Sequence, residues 1–154
     1  MLRSEVRVLK ELEDLNLNPV PGIIVFSDDP SDILSLKVVI QGPKETLYEN
    51  GVFVLDVRFS ELYPFMPPCI HFKTKIFHPN ISINGEIGLD ILSDQWSPAF
   101  TISKMALAIQ VLLSDPNPDI TFDPEMGKQY RENREMFEVT AREWVEVYAS
   151  NPEL

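Results

Sequence analysis

The sequence predicts an α+β domain in which an antiparallel sheet is assembled early in the chain and helices are segregated from it. Three observations predict this class. Four short apolar runs lie between Ile23 and Phe72, two of them alternating cleanly with a period of two, and no segment between them is long enough for a helical crossover. Helical periodicity appears before these runs and after them, but not among them. Between the last run and the next helix lies a long stretch of few regular elements, rich in proline and polar residues. The expected order is one helix, four strands in a meander, a long loop and three helices.

The first helix is expected over about Leu2 to Leu17. Val8, Leu12 and Leu15 recur at i, i+4 and i+7, with Leu9 beside them. Asn18-Pro19 and Pro21-Gly22 end it. The strands follow as Ile23 to Phe26, Leu34 to Gln41, Val52 to Phe59, and a short run marked by Ile70 and Phe72. Leu34, Leu36, Val38 and Ile40 share one face of the second; Phe53, Leu55, Val57 and Phe59 share one face of the third. After Trp96-Ser97-Pro98, a helix is expected over Thr101 to Leu113, with Ile102, Ala106, Ile109 and Leu113 on one stripe. Asp123 followed by Pro124 is a helix start, aspartate as N-cap and proline at the first position. The last helix is expected from about Asn133 to Ala149, with Phe137, Ala141, Trp144 and Tyr148 on one face.

Composition bounds the function. A chain of 154 residues suits one domain, residues 1–154, able to bury a real core. The net charge of −11 argues against nucleic-acid phosphate binding, which needs clustered Lys and Arg, and against anionic membranes. There is no apolar run of about 18 residues to cross a bilayer, and Met1 to Arg7 mix charge rather than form an apolar signal region. One cysteine, Cys69, excludes an internal disulfide and suits a reducing compartment, so cytosol or nucleus is expected. With one Cys and two His, no zinc site is expected. Period two puts Cys69 and His71 on one strand face, where they read as ordinary strand residues.

Five motifs lie in register between positions 63 and 119: Tyr63-Pro64-Phe65-Met66-Pro67-Pro68; His78-Pro79-Asn80; Asn84-Gly85-Glu86-Ile87-Gly88-Leu89-Asp90-Ile91-Leu92; Gln95-Trp96-Ser97-Pro98-Ala99; and Leu113-Ser114-Asp115-Pro116-Asn117-Pro118-Asp119. In order and spacing they resemble the ubiquitin-conjugating enzymes, and the resemblance covers essentially the whole chain. It implies that family's fold and its chemistry. An activating enzyme, which uses the ATP, passes the C-terminus of ubiquitin or a ubiquitin-like modifier to a cysteine thiol. A substrate lysine, or a ligase's cysteine, then attacks the thioester. The carrier itself needs no cofactor.

The family's nucleophilic cysteine falls between Ile87 and Leu89, where this chain has Gly88. A thiolate both attacks and leaves well, whereas glycine offers no side chain, so the covalent route cannot operate at Gly88 as written. The resemblance implies that Asn80 steadies the loop or stabilises the oxyanion, that His78 ties the loop down by hydrogen bonds, and that Asp90 braces it. The acid that orients an incoming lysine in many members aligns with Ile120, leaving the adjacent Asp119 as a substitute, and Thr121 replaces a common proline.

Arg3, Arg7 and Lys10 share one face of the first helix. In the family this helix meets the activating enzyme; the competing reading is salt bridging to Glu11 and Asp14. Phe65 and the loop Ser97, Pro98 and Ala99 match the docking surface for RING-type ligases. Tyr63-Pro64 is expected to be a cis peptide, and Trp96 to anchor loops from the core. Two readings stay open. One is a conjugating enzyme whose nucleophile is replaced; the other is a natural non-catalytic variant that binds ubiquitin, a ligase or an active partner as a scaffold.

Overall fold

The computed structural model describes residues 1–152, so the end of the expected 1–154 domain lies outside the described residues. The first helix, α1, spans Arg3–Leu17, with the Leu2 N–H held by Glu5 Oε1 at 2.9 Å. Strands β1 (Ile23–Phe26), β2 (Ser35–Gln41), β3 (Val52–Arg58) and β4 (Cys69–Phe72) form one sheet in sequence order, each pair antiparallel. This is the meander that the period-two runs predict. After a short 3-10 helix at Asp90–Leu92 come α2 (Ile102–Ser114), α3 (Pro124–Glu132) and α4 (Arg134–Trp144).

Register fixes which face is buried. Val25 opposes Val38, Val38 opposes Leu55, and Leu55 opposes Phe72, so one apolar row crosses all four strands. That row, with Leu36, Ile40, Phe53 and Val57, packs into a single core with Ile102, Met105, Ala106, Ile109 and Leu113 of α2. Burying this apolar area is the main stabilising term. The opposite face carries Lys37 paired with Asp56, and, on β4, Cys69 and His71. Cys69 is exposed, and its Sγ lies 3.6 Å from His71 Nδ1.

Helix starts are chemically marked. Thr101 Oγ1 accepts from the Lys104 N–H at 3.1 Å, Asp123 Oδ1 from Glu125 at 3.0 Å, and Asn133 Oδ1 from Met136 at 3.4 Å. The end of α4 departs from expectation. A π-helical segment, Val145–Ala149, continues it, and Val145 and Ala149 are buried where Trp144 and Tyr148 were expected. In a π-helix each residue advances less around the axis than in an α-helix, so the inward stripe slips by one position. Trp144 is half-buried against Phe77, and Tyr148 lies on the surface beside Trp144.

One buried charge ties α1 to the rest. Glu11 is 5% exposed. Its Oε2 accepts from Arg7 Nε at 2.8 Å and from the Tyr63 hydroxyl at 2.7 Å, and its Oε1 accepts from the Ile102 N–H at 2.6 Å. Burial, together with the Glu11 carboxylate, raises the pKa of the Tyr63 phenol, which stays protonated and donating. We predict that Glu11→Ala costs about 3 kcal/mol, because three donors lose a charged acceptor in a buried setting. Urea unfolding checks this, and a loss too small to measure would show that the tie contributes nothing.

Candidate functional site

The site is a long irregular segment pinned at both ends and in the middle. At its start, the Tyr63-Pro64 peptide is cis, as expected, and the Pro64 carbonyl accepts from Trp96 Nε1 at 2.9 Å. Trp96 also packs beside Tyr63 and Phe100, ring centroids 6.1 and 5.7 Å away. Trp96 therefore anchors two loops to each other. Phe65 projects into solvent at 78% exposure, next to exposed Met66. Pro98 and Ala99 are exposed and Ser97 is half-buried.

The middle is pinned by His78 and Asn80, both fully buried. His78 Nε2 donates to the Leu112 carbonyl at 2.9 Å, while Nδ1 accepts from the Asn80 N–H at 3.0 Å. That pair of bonds requires the neutral ring protonated on Nε2. Burial lowers the His78 pKa from 6.5 to about 4. The ring leans on Tyr48 at 5.5 Å between centroids, and Tyr48 itself donates to the Phe77 carbonyl at 2.7 Å. His78 is therefore a structural tie between the loop and the end of α2.

Asn80 connects both walls of the site. Its main-chain carbonyl accepts from the Gly88 N–H at 2.8 Å. Its side-chain Nδ2 donates to the Asn117 carbonyl at 2.8 Å and to the Ile120 carbonyl, and its Oδ1 accepts from the Asn117 N–H at 2.7 Å. Both side-chain N–H groups are thus committed to the 117–120 loop. The Asn80 amide thus holds the 117–120 loop, which is the wall facing Gly88.

Between these points the chain makes a tight hairpin. The Gly85 N–H donates to Ser82, and Ser82 to the Glu86 carbonyl, each at 2.9 Å; the Gly85 carbonyl accepts from Phe72 of β4 at 2.9 Å. Gly85 has φ +87°, and a β-carbon there would collide with the Phe72 carbonyl, so this position needs glycine twice over. Gly88 is different: its φ lies outside the left-handed region. Nothing in its backbone demands glycine. A β-carbon there would lie 3.3 Å from Ile120 Cγ2, 3.3 Å from Phe122 Cε2 and 3.4 Å from the Asn80 carbonyl oxygen.

The expected site residues are thus sorted. His78, Asn80 and Gly88 are brought together. Asp90 opens the 3-10 helix and braces it through its main-chain carbonyl, which accepts from Ser93 at 3.0 Å and from Gln95 at 2.9 Å. Asp119 is exposed, with its N–H on Asn117 Oδ1 at 3.0 Å; the atoms nearest position 88 come from Ile120, Phe122 and Asn80 instead. Phe122 was not foreseen; its only signal was an aromatic residue directly before the Asp123 cap. The basic stripe on α1 is divided between solvent and the body of the protein. Arg3 and Lys10 are exposed, but Arg7 turns inward to Glu11 and donates from its terminal guanidinium nitrogen to the Pro98 carbonyl at 2.9 Å and the Phe100 carbonyl at 3.2 Å. For Arg7 the salt-bridge reading holds, and the residue ties α1 to the 97–100 loop.

Among the described residues no group of three or more His, Cys, Asp or Glu could hold a metal, and no helix is long and apolar enough to cross a membrane. The family model for ubiquitin-conjugating enzyme matches residues 7–145, which is most of the chain and runs from within α1 to the end of α4.

The neutral, buried His78 sets a pH dependence. Its folded pKa lies below its unfolded value, so the unfolded chain takes up the proton first, and stability present above pH 6.5 is lost as the pH falls towards 4. We predict that this residue alone costs about 2 kcal/mol between pH 8 and pH 5, a range that mostly spares ordinary carboxylates. Urea unfolding of the native chain and of His78→Gln at both pH values checks it. The slope should flatten in the variant, and equal slopes would remove His78 as the cause.

Proposed function

The chain belongs to the ubiquitin-conjugating enzyme family, and from that premise we propose that it is a ubiquitin-carrier domain that retains its docking surfaces and lacks only the thiol of the transfer step. The observation that carries this reading is the state of position 88. The loop around it is braced, its N–H is bonded to Asn80, and its φ lies outside the region that favours glycine. A cysteine there would stand where the family's chemistry needs it. Its thiolate would attack the activating enzyme's thioester, forming one S–C bond as the other breaks, and the activating enzyme's thiol would leave. With Gly88 no such bond can form.

The partners in this reading are ubiquitin or a related modifier, an activating enzyme that uses the ATP, and a RING-type ligase. Exposed Arg3 and Lys10 would face the activating enzyme, with Arg7 holding their helix in place. Phe65, Ser97, Pro98 and Ala99 would form the ligase face. Cytosol or nucleus is the proposed location. A second reading, a natural non-catalytic member that binds ubiquitin or a ligase as a scaffold, draws support from Ile120 and Phe122, which crowd the place a β-carbon at 88 would take.

A charging assay separates the two. Activating enzyme, ATP, ubiquitin and Gly88→Cys should give a reductant-sensitive adduct on a non-reducing gel, and the native chain none. A folded Gly88→Cys that stays uncharged would leave the scaffold reading standing. At the ligase face, Phe65→Ala should weaken binding to a RING domain by about tenfold, the cost of truncating one exposed aromatic anchor. Its urea midpoint should not move, since the side chain is in solvent. Unchanged affinity would place the ligase surface elsewhere.

A further inference from the structure

We propose that Ile120 and Phe122 form a two-sided apolar gate over position 88, and that Ile120 is the side that sets how well a nucleophile there can react. The inference rests on the reading of position 88 as the nucleophile's place. It concerns side chains of the opposite wall.

The two contacts are equal in length and unequal in stiffness. Both carbons would lie 3.3 Å from a β-carbon at 88, inside the roughly 3.5–4.0 Å optimum for carbon pairs. One or both must move by a few tenths of an ångström. Phe122 offers the far edge of its ring, which a small rotation about χ1 displaces by more than it moves the atoms near the backbone. Ile120 offers a methyl attached directly to its own β-carbon, and a β-branched side chain has little χ1 freedom. Its backbone is fixed as well: Asn80 Nδ2 holds the Ile120 carbonyl, and the Ile120 N–H reaches the Asn117 carbonyl at 3.3 Å. The Asn117 that closes this turn is itself clamped by Asn80 from both sides. Ile120 is therefore the rigid jamb and Phe122 the movable leaf.

Two consequences follow for any side chain at 88. The gate narrows its rotamers, and apolar walls disfavour a charged thiolate over the neutral thiol. With glycine neither effect arises, and the walls close over backbone alone. The gate therefore acts on the reactivity of a side chain at 88 and not on the glycine that stands there.

The test measures thiol reactivity directly, apart from any partner enzyme. In a Cys69→Ser background, which removes the exposed native thiol, Gly88→Cys is alkylated with iodoacetamide across a range of pH. The thiolate sulfur bonds to the reagent's methylene carbon as iodide leaves, and the thiol proton passes to buffer. Adding Ile120→Ala should raise the rate about fivefold, equivalent to ~1 kcal/mol of relieved crowding, and lower the pH at half-maximal rate. Adding Phe122→Ala should raise it less. Equal rates with and without Ile120→Ala would overturn the gate, as would a larger effect from Phe122→Ala. Ile120 is 46% exposed, so its truncation opens no core cavity, and a urea midpoint confirms that each variant is folded. Charging by activating enzyme is read in parallel. Faster alkylation without charging would sustain the gate and sink the carrier reading. Efficient charging of Gly88→Cys, with alkylation insensitive to Ile120→Ala, would do the reverse.

Discussion

The site depends on one side chain. Asn80 sits fully buried where three pieces of chain meet, and each of its polar groups is used. Its N–H goes to His78, its carbonyl takes Gly88, and its amide closes on Asn117 and Ile120. Buried amide groups are costly unless all are paired, and here all are. The distance between the Gly88 segment and the 117–120 loop therefore follows from the length of one asparagine. His78 supplies the second fixed point by tying the same segment to the Leu112 carbonyl at the end of α2. The neutral ring that this bond requires is the form that burial favours.

A second tie works at a distance. Arg7 and Glu11 of α1 reach Tyr63, the 98–100 loop and the first N–H of α2. The α1 face thus connects to the exposed loop carrying Pro98 and Ala99, and through Tyr63 and Trp96 to the turn carrying Phe65. Surfaces that project side chains into solvent are supported from beneath by a buried carboxylate. The arrangement presents Phe65 on a rigid base, the condition under which an exposed aromatic side chain can act as an anchor at low entropic cost.

The elements were legible in the sequence wherever periodicity was long or a cap was explicit. The inward faces of β2 and β3 and the stripe of α2 follow from apolar spacing, and Asp123-Pro124 announces α3. The family was legible from five motifs in register. Three things were not. The π-helical turn shifted the buried face of α4 to Val145 and Ala149, because its wider turn belongs to tertiary packing and leaves no mark in residue type. Arg7 looked like a surface cation, though Glu11 standing among Val8, Leu12 and Leu15 marked a charge that would be drawn inward and need partners. Phe122 lies 34 positions from Gly88, and it reaches that place two residues beyond the Ile120 carbonyl that Asn80 holds.

The claim that the Asn80 amide holds the wall opposite Gly88 can be read residue by residue by amide hydrogen exchange. In Asn80→Ala, the Asn117 N–H loses its acceptor, while the Gly88 N–H keeps the main-chain carbonyl of residue 80. The account predicts that Asn117 loses protection and Gly88 retains it. Asn117 remaining as protected as in the native chain would contradict it, because the opposite wall would then be standing without the side chain said to hold it.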